Sequence, residues 1–245
     1  LREEGDDGTL TFSRVALREA LAAAGVEVPL DGAASGQVQF RGDVATPAAW
    51  EAAGTLTATP GRGNGVPAGG RADLDLRNGR WRLRLTDGAL GDASLVLDAR
   101  GQWPPADGSP ARSTLEGRAT VAVSSLASLF DDLGRLGIAL PAAVTTRLDG
   151  AVSADVVLDG TVTAPTLRTD LAGVPLTVAG LGEVVASGRV ALMSARDLRL
   201  DQVTLVAGPR RVSVSGRLDT HALTADAEVA ATGWTVADLR ALGVD

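Results

Sequence analysis

Apolar and polar residues alternate with period two along most of the chain, so successive side chains point to opposite faces of an extended backbone. Gln37-Val38-Gln39-Phe40-Arg41, Trp81-Arg82-Leu83-Arg84-Leu85, Leu198-Arg199-Leu200-Asp201 and Val212-Ser213-Val214-Ser215 each set an aliphatic or aromatic face against a polar one. The pattern predicts a mainly β chain whose sheet is wetted on one side. Between Leu76 and Trp81, Asn78-Gly79 supplies two residues that tolerate positive φ, which predicts a tight type I′ hairpin. Asp87-Gly88, Asp149-Gly150 and Asp159-Gly160 predict further turns, and Pro60 to Gly70, with five glycines and two prolines, reads as a loop.

Helical spacing is brief. Ser13 is placed to cap a helix through about Ala24, with Val15, Leu17, Leu21 and Ala24 on one face and Gly25 as its stop. A second helix is expected from Ser125 to Leu136, with Leu126, Leu129, Phe130 and Leu133 at helical spacing and Gly134 or Gly137 ending it. A third starts near Thr235. The first and third share a Leu-Arg start and a Gly-Val-acid end, Gly25-Val26-Glu27 and Gly243-Val244-Asp245.

After the helices the chain repeats. Asp31-Gly32-Ala33-Ala34-Ser35 matches Asp149-Gly150-Ala151-Val152-Ser153 at an offset of 118 residues. Val38 then aligns with Val156, Gly42 with Gly160, Val44 with Val162 and Pro47 with Pro165, which makes eight identities in 17 positions without a gap. The organisation expected is the end of one repeat with its short helix over 1–30, a repeat unit over 31–136 and another over 137–245, each with strands followed by a short helix. Repetition of a mostly β unit implies a sheet that grows along an axis.

Composition narrows the chemistry. The chain has 245 residues, 45% hydrophobic and 3% aromatic, with 23 basic and 30 acidic residues for a net charge of −7. Every basic residue is arginine, tyrosine is absent, and the apolar content is mainly Ala, Val and Leu. An acidic balance argues against nucleic acid, whose non-specific binding needs clustered cations. Without cysteine there is no disulfide framework, thiolate metal site or cysteine nucleophile. No stretch approaches the roughly 18 uninterrupted apolar residues of a membrane helix, and the start lacks the basic and apolar runs of a signal peptide. The chain is then either soluble or an internal fragment of something longer, and an opening without Met and an ending inside a helical pattern lead us to expect a fragment.

Enzyme signatures are scarce. The sole histidine, His221, falls in a turn-like stretch, which leaves almost no material for a His-dependent triad or a multi-histidine metal site. No nucleophile elbow or Walker loop occurs, and Gly61-Arg62-Gly63-Asn64-Gly65 lacks the spacing of a dinucleotide fingerprint. Asp73, Asp75, Asp98 and Asp155 sit on the polar side of alternating strands and read as solvated, as does the Arg80, Arg82 and Arg84 row. No catalysis, metal or cofactor is expected.

The apolar face is more informative, because one-sided strands must place that face against something. Two sheets packed as a sandwich or barrel would hide it as an ordinary core, and a curved sheet would leave it as an apolar groove. Such a groove would take acyl chains, each buried methylene contributing roughly 0.8 kcal/mol without a polar partner. By parity its wall comprises Val38, Phe40, Leu74, Leu76, Trp81, Leu83, Leu85, Leu95, Leu97, Val156, Leu158, Leu192, Leu198, Leu200, Val212 and Val214. A repetitive structural or adhesive protein with a closed dry core is the alternative. A polysaccharide hydrolase would need clustered carboxylates with stacking aromatics, which 3% aromatic residues supply poorly.

The segment Ala154-Asp155-Val156-Val157-Leu158-Asp159-Gly160-Thr161-Val162-Thr163-Ala164-Pro165-Thr166-Leu167 resembles the strand, Gly-Thr, strand, Pro pattern that recurs in the AsmA-like family of large periplasmic proteins, TamB of the translocation and assembly module among them. Leu171-Ala172-Gly173-Val174-Pro175-Leu176, Leu198-Arg199-Leu200 and Val212-Ser213-Val214-Ser215-Gly216-Arg217-Leu218 resemble the same family's succession of glycine-ended strands, and the likeness is best over 31–218. It implies an elongated, curved, taco- or gutter-like sheet with an open apolar groove, built from repeats of about 115 residues with a few short helices. It also implies phospholipid passage between the inner and outer membranes without catalytic residues. For TamB-like members it further implies an inner-membrane anchor and an outer-membrane β-barrel partner in outer-membrane assembly. Both would act through segments that these 245 residues lack.

Overall fold

A computed structural model of the chain describes residues 6–23, 29–42, 50–102, 113–137, 145–146, 148–194, 197–219, 222 and 224–235. The elements are β1 (Asp6–Ala16), α1 (Leu17–Ala23), β2 (Leu30–Gly42), β3 (Glu51–Pro60), β4 (Val66–Arg77), β5 (Arg80–Leu90), β6 (Ala93–Gln102) and β7 (Glu116–Val123). They continue with α2 (Leu126–Arg135), β8 (Leu148–Asp149), β9 (Val152–Thr161), β10 (Ala164–Val178), β11 (Gly182–Ser194), β12 (Asp197–Ala207), β13 (Arg210–Asp219) and β14 (Thr224–Thr232). The protein is mainly β, as the alternation predicts. Among the described residues the strands form one open sheet of 14 whose hydrogen-bonded neighbours follow chain order, except that β8 lies beside β10 and β2 also meets β4. The chain divides into two compact units, one of Leu1–Thr120, Arg135–Gly137 and Val157–Pro165, the other of Val121–Gly134, Ile138–Val156 and Thr166–Asp245.

In the first unit β1 to β6 are a meander of antiparallel hairpins. Asn78 and Gly79 take φ of 50° and 68° between the paired Arg77 and Arg80, the geometry that a type I′ turn requires. At the opposite end of these strands, β3 stops at Pro60 and its neighbours meet beyond it. Leu30 and Asp31 of β2 pair in parallel with Val66 and Pro67 of β4, and the Val66 amide donates to the Pro29 carbonyl at 2.9 Å. This closure buries Val66 completely and Ala68 to 8% exposure. Leu17, the first residue of α1, covers Gly32 there; an added Cβ at Gly32 would sit 2.8 Å from the Leu17 Cδ1.

The second unit is a meander from β10 to β14. Its helix α2 starts where Ser125 caps it, with the Ser125 Oγ accepting from the Ser128 amide at 3.3 Å. Asp149 accepts from the Ser125 hydroxyl at 3.1 Å and from the Ala127 amide at 3.3 Å. With the Gly150 amide as the largest cause, these donors hold the Asp149 carboxyl below its ordinary value. The residue that matches Asp149 in the repeat, Asp31, has different partners: its backbone carbonyl accepts from Gly61 and its carboxylate from the Gly63 amide.

A bulge recurs with one chemistry. Ser13 and Arg14 together face Ser35, Ala172 and Gly173 face Ser187, and Asp201 and Gln202 face Ser215. The second residue of each pair has positive φ: Arg14 at 53°, Gly173 at 69° and Gln202 at 50°. Its amide, turned out of the ladder, donates to the serine hydroxyl at 2.9, 3.1 and 3.1 Å respectively. Each serine precedes a glycine, and Ser35-Gly36, Ser187-Gly188 and Ser215-Gly216 are the only Ser-Gly pairs in the sequence. Those glycines face Phe12, Leu171 and Leu200, the large residues just before each bulge.

Several sequence expectations change. The helix expected from Ser13 begins at Leu17; Val15 and Ala16 remain in β1, paired with Ala34 and Ala33. The Ser13-Arg14 bulge inserts one residue into the alternation, and period two then imitates helical spacing. Asp87-Gly88 is a bulge inside β5, with Asp87 at φ 53°, and the hairpin turn falls at Gly91-Asp92. Asp159-Gly160 ends within β9, whose turn is Val162-Thr163. Of the Pro60 to Gly70 loop, Val66 onward is β4, drawn in by its pairing with Leu30. The second helix forms as expected over Leu126–Arg135, with Gly137 beyond it at φ 82°. The third helix, His221, and Val44 and Pro47 of the repeat lie outside the described residues.

The bulge glycines give a stability test. A Cβ at Gly188 would approach the Gln202 backbone oxygen to 2.6 Å at φ 131°, whereas one at Gly134 in α2 meets nothing within 4 Å. Gly188→Ala should cost about 1–3 kcal/mol in urea unfolding, and Gly134→Ala should gain about 0.5–1 kcal/mol.

Candidate functional site

The registers place the sequence-predicted residues of β2 to β6 on one face in three cross-strand rows. Gly8, Phe40, Ala52, Leu76, Trp81 and Gly101 make the row beside the Asn78-Gly79 turn. Leu10, Val38, Gly54, Leu74, Leu83 and Ala99 make the next. The third holds Phe12, Gly36, Leu56, Ala72, Leu85 and Leu97, and Leu95 follows it opposite Gly88, past the bulge. Large and small residues face each other. A Cβ on Gly8 would overlap the Phe40 ring, and one on Gly101 would come within 2.8 Å of the Trp81 ring. The glycines are therefore the floor on which the aromatics lie.

In the second unit Leu192 and Leu198 pair with each other and with Leu167 and Leu218 on either side. Leu200 pairs with Val190, Val214 lies between Val203 and Val229, and Val212 lies between Leu205 and Ala231. Val156 and Leu158 share the half-buried parity of β9, Val156 in the second unit and Leu158 in the first.

Exposure distinguishes this face from an interior. None of the sixteen predicted residues is buried: fifteen are half-buried and Phe40 is 46% exposed. The buried residues are mostly small, among them Ala34, Ala68, Ala93, Ala99, Ala119, Ala186 and Ala191. Parity reading also misses members of the face. Leu10 is 57% exposed and Val229 65% exposed, and both pair directly with predicted residues. The Thr9-Leu10-Thr11-Phe12 alternation is the signal that would have found Leu10 and Phe12.

The other face is ionic. In the first unit Arg41 holds Asp7 through two contacts of 2.8 and 2.9 Å, Arg77 meets Asp75 at 3.0 Å and Arg100 meets Glu116 at 3.3 Å. Arg82 grips Asp98 with its Nε at 2.9 Å, and Arg84 reaches the same carboxylate at 3.6 Å. Of the Arg80, Arg82 and Arg84 row, two members are thus paired. In the second unit Arg189 bridges Asp170 at 2.8 Å and Asp201 at 3.7 Å. Such exposed pairs are screened by water and add little stability, but they align neighbouring strands and keep that face wet. Depressions of about 490, 720 and 940 Å³ in the first unit open among these polar side chains.

Among the described residues no group of three or more His, Asp or Glu side chains could hold a metal ion, and no helix is long and apolar enough to cross a membrane. Compared with known proteins, the chain matches no protein-family model, no curated protein and no solved structure.

The Arg82 hydrogen bond, then the charges of Arg82 and Arg84, hold the Asp98 carboxyl below its ordinary value. A depressed carboxyl stabilises the fold above its unfolded pKa, and that contribution is lost as pH falls through the folded value. The thermal midpoint should therefore drop on acidification below about pH 4. Arg82→Gln should return Asp98 toward an ordinary carboxylate in a carbon NMR titration and shrink that part of the drop. An Asp98 titration that Arg82→Gln leaves in place would contradict the assignment.

Proposed function

We propose that this chain carries phospholipid acyl chains along its aliphatic face, as a non-catalytic segment of an AsmA- or TamB-like bridge for lipids. One observation carries the reading: in each unit large apolar side chains line up across antiparallel strands, and none of the sixteen is buried. A dry structural core would press such residues into full burial, so their half-exposure favours a removable cover over a permanent one. Hydrocarbon suits that role. The rows are mainly Leu and Val, offer almost no polar atom to satisfy, and reward each covered methylene by roughly 0.8 kcal/mol whatever its position along the row. The ion-paired opposite face would stay in water. In this reading the sheet is the wall of an open groove and the chain works in the periplasm. The membrane anchor and any outer-membrane β-barrel partner would belong to other parts of a longer protein.

Lipid extraction and mass spectrometry of the purified protein should recover phospholipid, and the protein should move labelled phospholipid between vesicles. Combining Leu74→Arg, Leu83→Arg and Leu85→Glu should lower both by about tenfold or more while far-UV circular dichroism keeps its strand signal, because a charge in an acyl path is costly to desolvate. Folded variants with undiminished lipid content and transfer would overturn the proposal and leave the structural reading in its place.

A further inference from the structure

The Asn78-Gly79 end of β4, β5 and β6 concentrates positive charge in a chain whose net charge is −7. Two arginine pairs stand directly opposite each other there, Arg77 with Arg80 and Arg82 with Arg100. Like charges in directly opposed ladder positions repel, so each needs a counter-charge. Arg77 finds Asp75, Arg82 finds Asp98 and Arg100 finds Glu116. Arg80 is exposed and, among the described residues, forms no ion pair. All four arginines line the 940 Å³ depression, against only Asp75 and Glu116 on the acidic side. The sheet thus assembles a guanidinium cluster with one member uncompensated, over a hollow large enough for a phosphate group and its substituents.

We infer that this hollow binds a phosphate-bearing anion, with Arg80 as its principal ligand and Arg77, Arg82 and Arg100 around it. Guanidinium forks match the paired oxygens of phosphate and present more donors than their carboxylate partners occupy. The anion also supplies the charge that the Arg77 and Arg80 pair lacks. Trp81 lines the same hollow, and its row of the aliphatic face lies next to the turn. The arginines stand on the opposite face from the Trp81 side chain, so a phospholipid lying on the aliphatic face would have to turn its headgroup around the hairpin end to place its phosphate here; this source of the phosphate rests on the proposed function, while the anion site itself does not.

The test is a titration of the lipid-free protein with inorganic phosphate, followed by flotation with phosphatidylglycerol and with phosphatidylcholine vesicles. Saturable phosphate binding should weaken by about tenfold in Arg80→Gln, the scale of one charge-assisted hydrogen-bonded contact. Arg62→Gln, which removes the same charge from an exposed loop residue, should leave it unchanged. Vesicle binding that free phosphate competes away assigns the site to headgroups, and phosphate binding without vesicle binding assigns it to a soluble phosphate; either supports the site. Inorganic phosphate has no acyl chain, so this arm stands or falls apart from acyl-chain carriage. Absence of saturable binding to phosphate and to both vesicles, or equal weakening by Arg80→Gln and Arg62→Gln, would overturn it.

Discussion

The constraint on which this structure depends is that an antiparallel strand with alternating residues cannot be apolar on one face without something to rest that face on. Here much of the support is lateral. Gly8 lies under Phe40, Gly54 faces Val38 and Leu74, and Gly101 lies beneath Trp81, so each large side chain leans over a small neighbour in the next strand. This shields the rows by about the amount that leaves them half-buried. Full burial falls mostly on small residues, such as Ala99 and Ala186 within the ladders, and on Val66 beneath the β2 and β4 contact. The ionic face keeps its strands in water and in register, through cross-strand pairs such as Arg82 with Asp98 and Arg189 with Asp170.

Much of the fold was legible in the sequence because period-two alternation is a direct consequence of the pleat. The Asn78-Gly79 turn could be read from two residues, since few others accept positive φ in succession. The Leu126, Leu129, Phe130 and Leu133 spacing announced α2. Bulges were the blind spot. The extra residue at Ser13-Arg14 shifts the phase of alternation and so mimics a helix, and the one at Asp87-Gly88 mimics a turn, because both features call on residues that tolerate positive φ. The Ser-Gly pairs carried the missing information: the serine hydroxyl accepts the amide turned out of the ladder, and the glycine lets the following strand approach. Only a fixed register reveals that three such pairs face three such bulges.

For the candidate site, parity sorted residues between faces but was silent on their cover. The rows of Val38 with Leu74 and Leu83, and of Leu192 with Leu198, follow from alternation plus hairpin turns. Whether those rows end as core or as surface depends on what lies over them, which no local pattern encodes. The charge pattern had a similar limit. Arg80, Arg82 and Arg84 look alike in sequence, yet pairing across β5 and β6 gives Asp98 to the latter two and leaves Arg80 at the turn without a counter-ion among the described residues.

The claim that the aliphatic face is open in the absence of lipid is the one on which the functional account stands. The chain has no cysteine, so a single Leu83→Cys variant carries one thiol on that face, with Arg118→Cys as an exposed reference. In delipidated protein the account predicts that a water-soluble maleimide labels Leu83→Cys at a rate comparable to Arg118→Cys, and that loading with phospholipid protects the first thiol and spares the second. A Leu83→Cys thiol that resists labelling in the lipid-free folded protein would contradict it, because protein would then already occupy the place assigned to acyl chains.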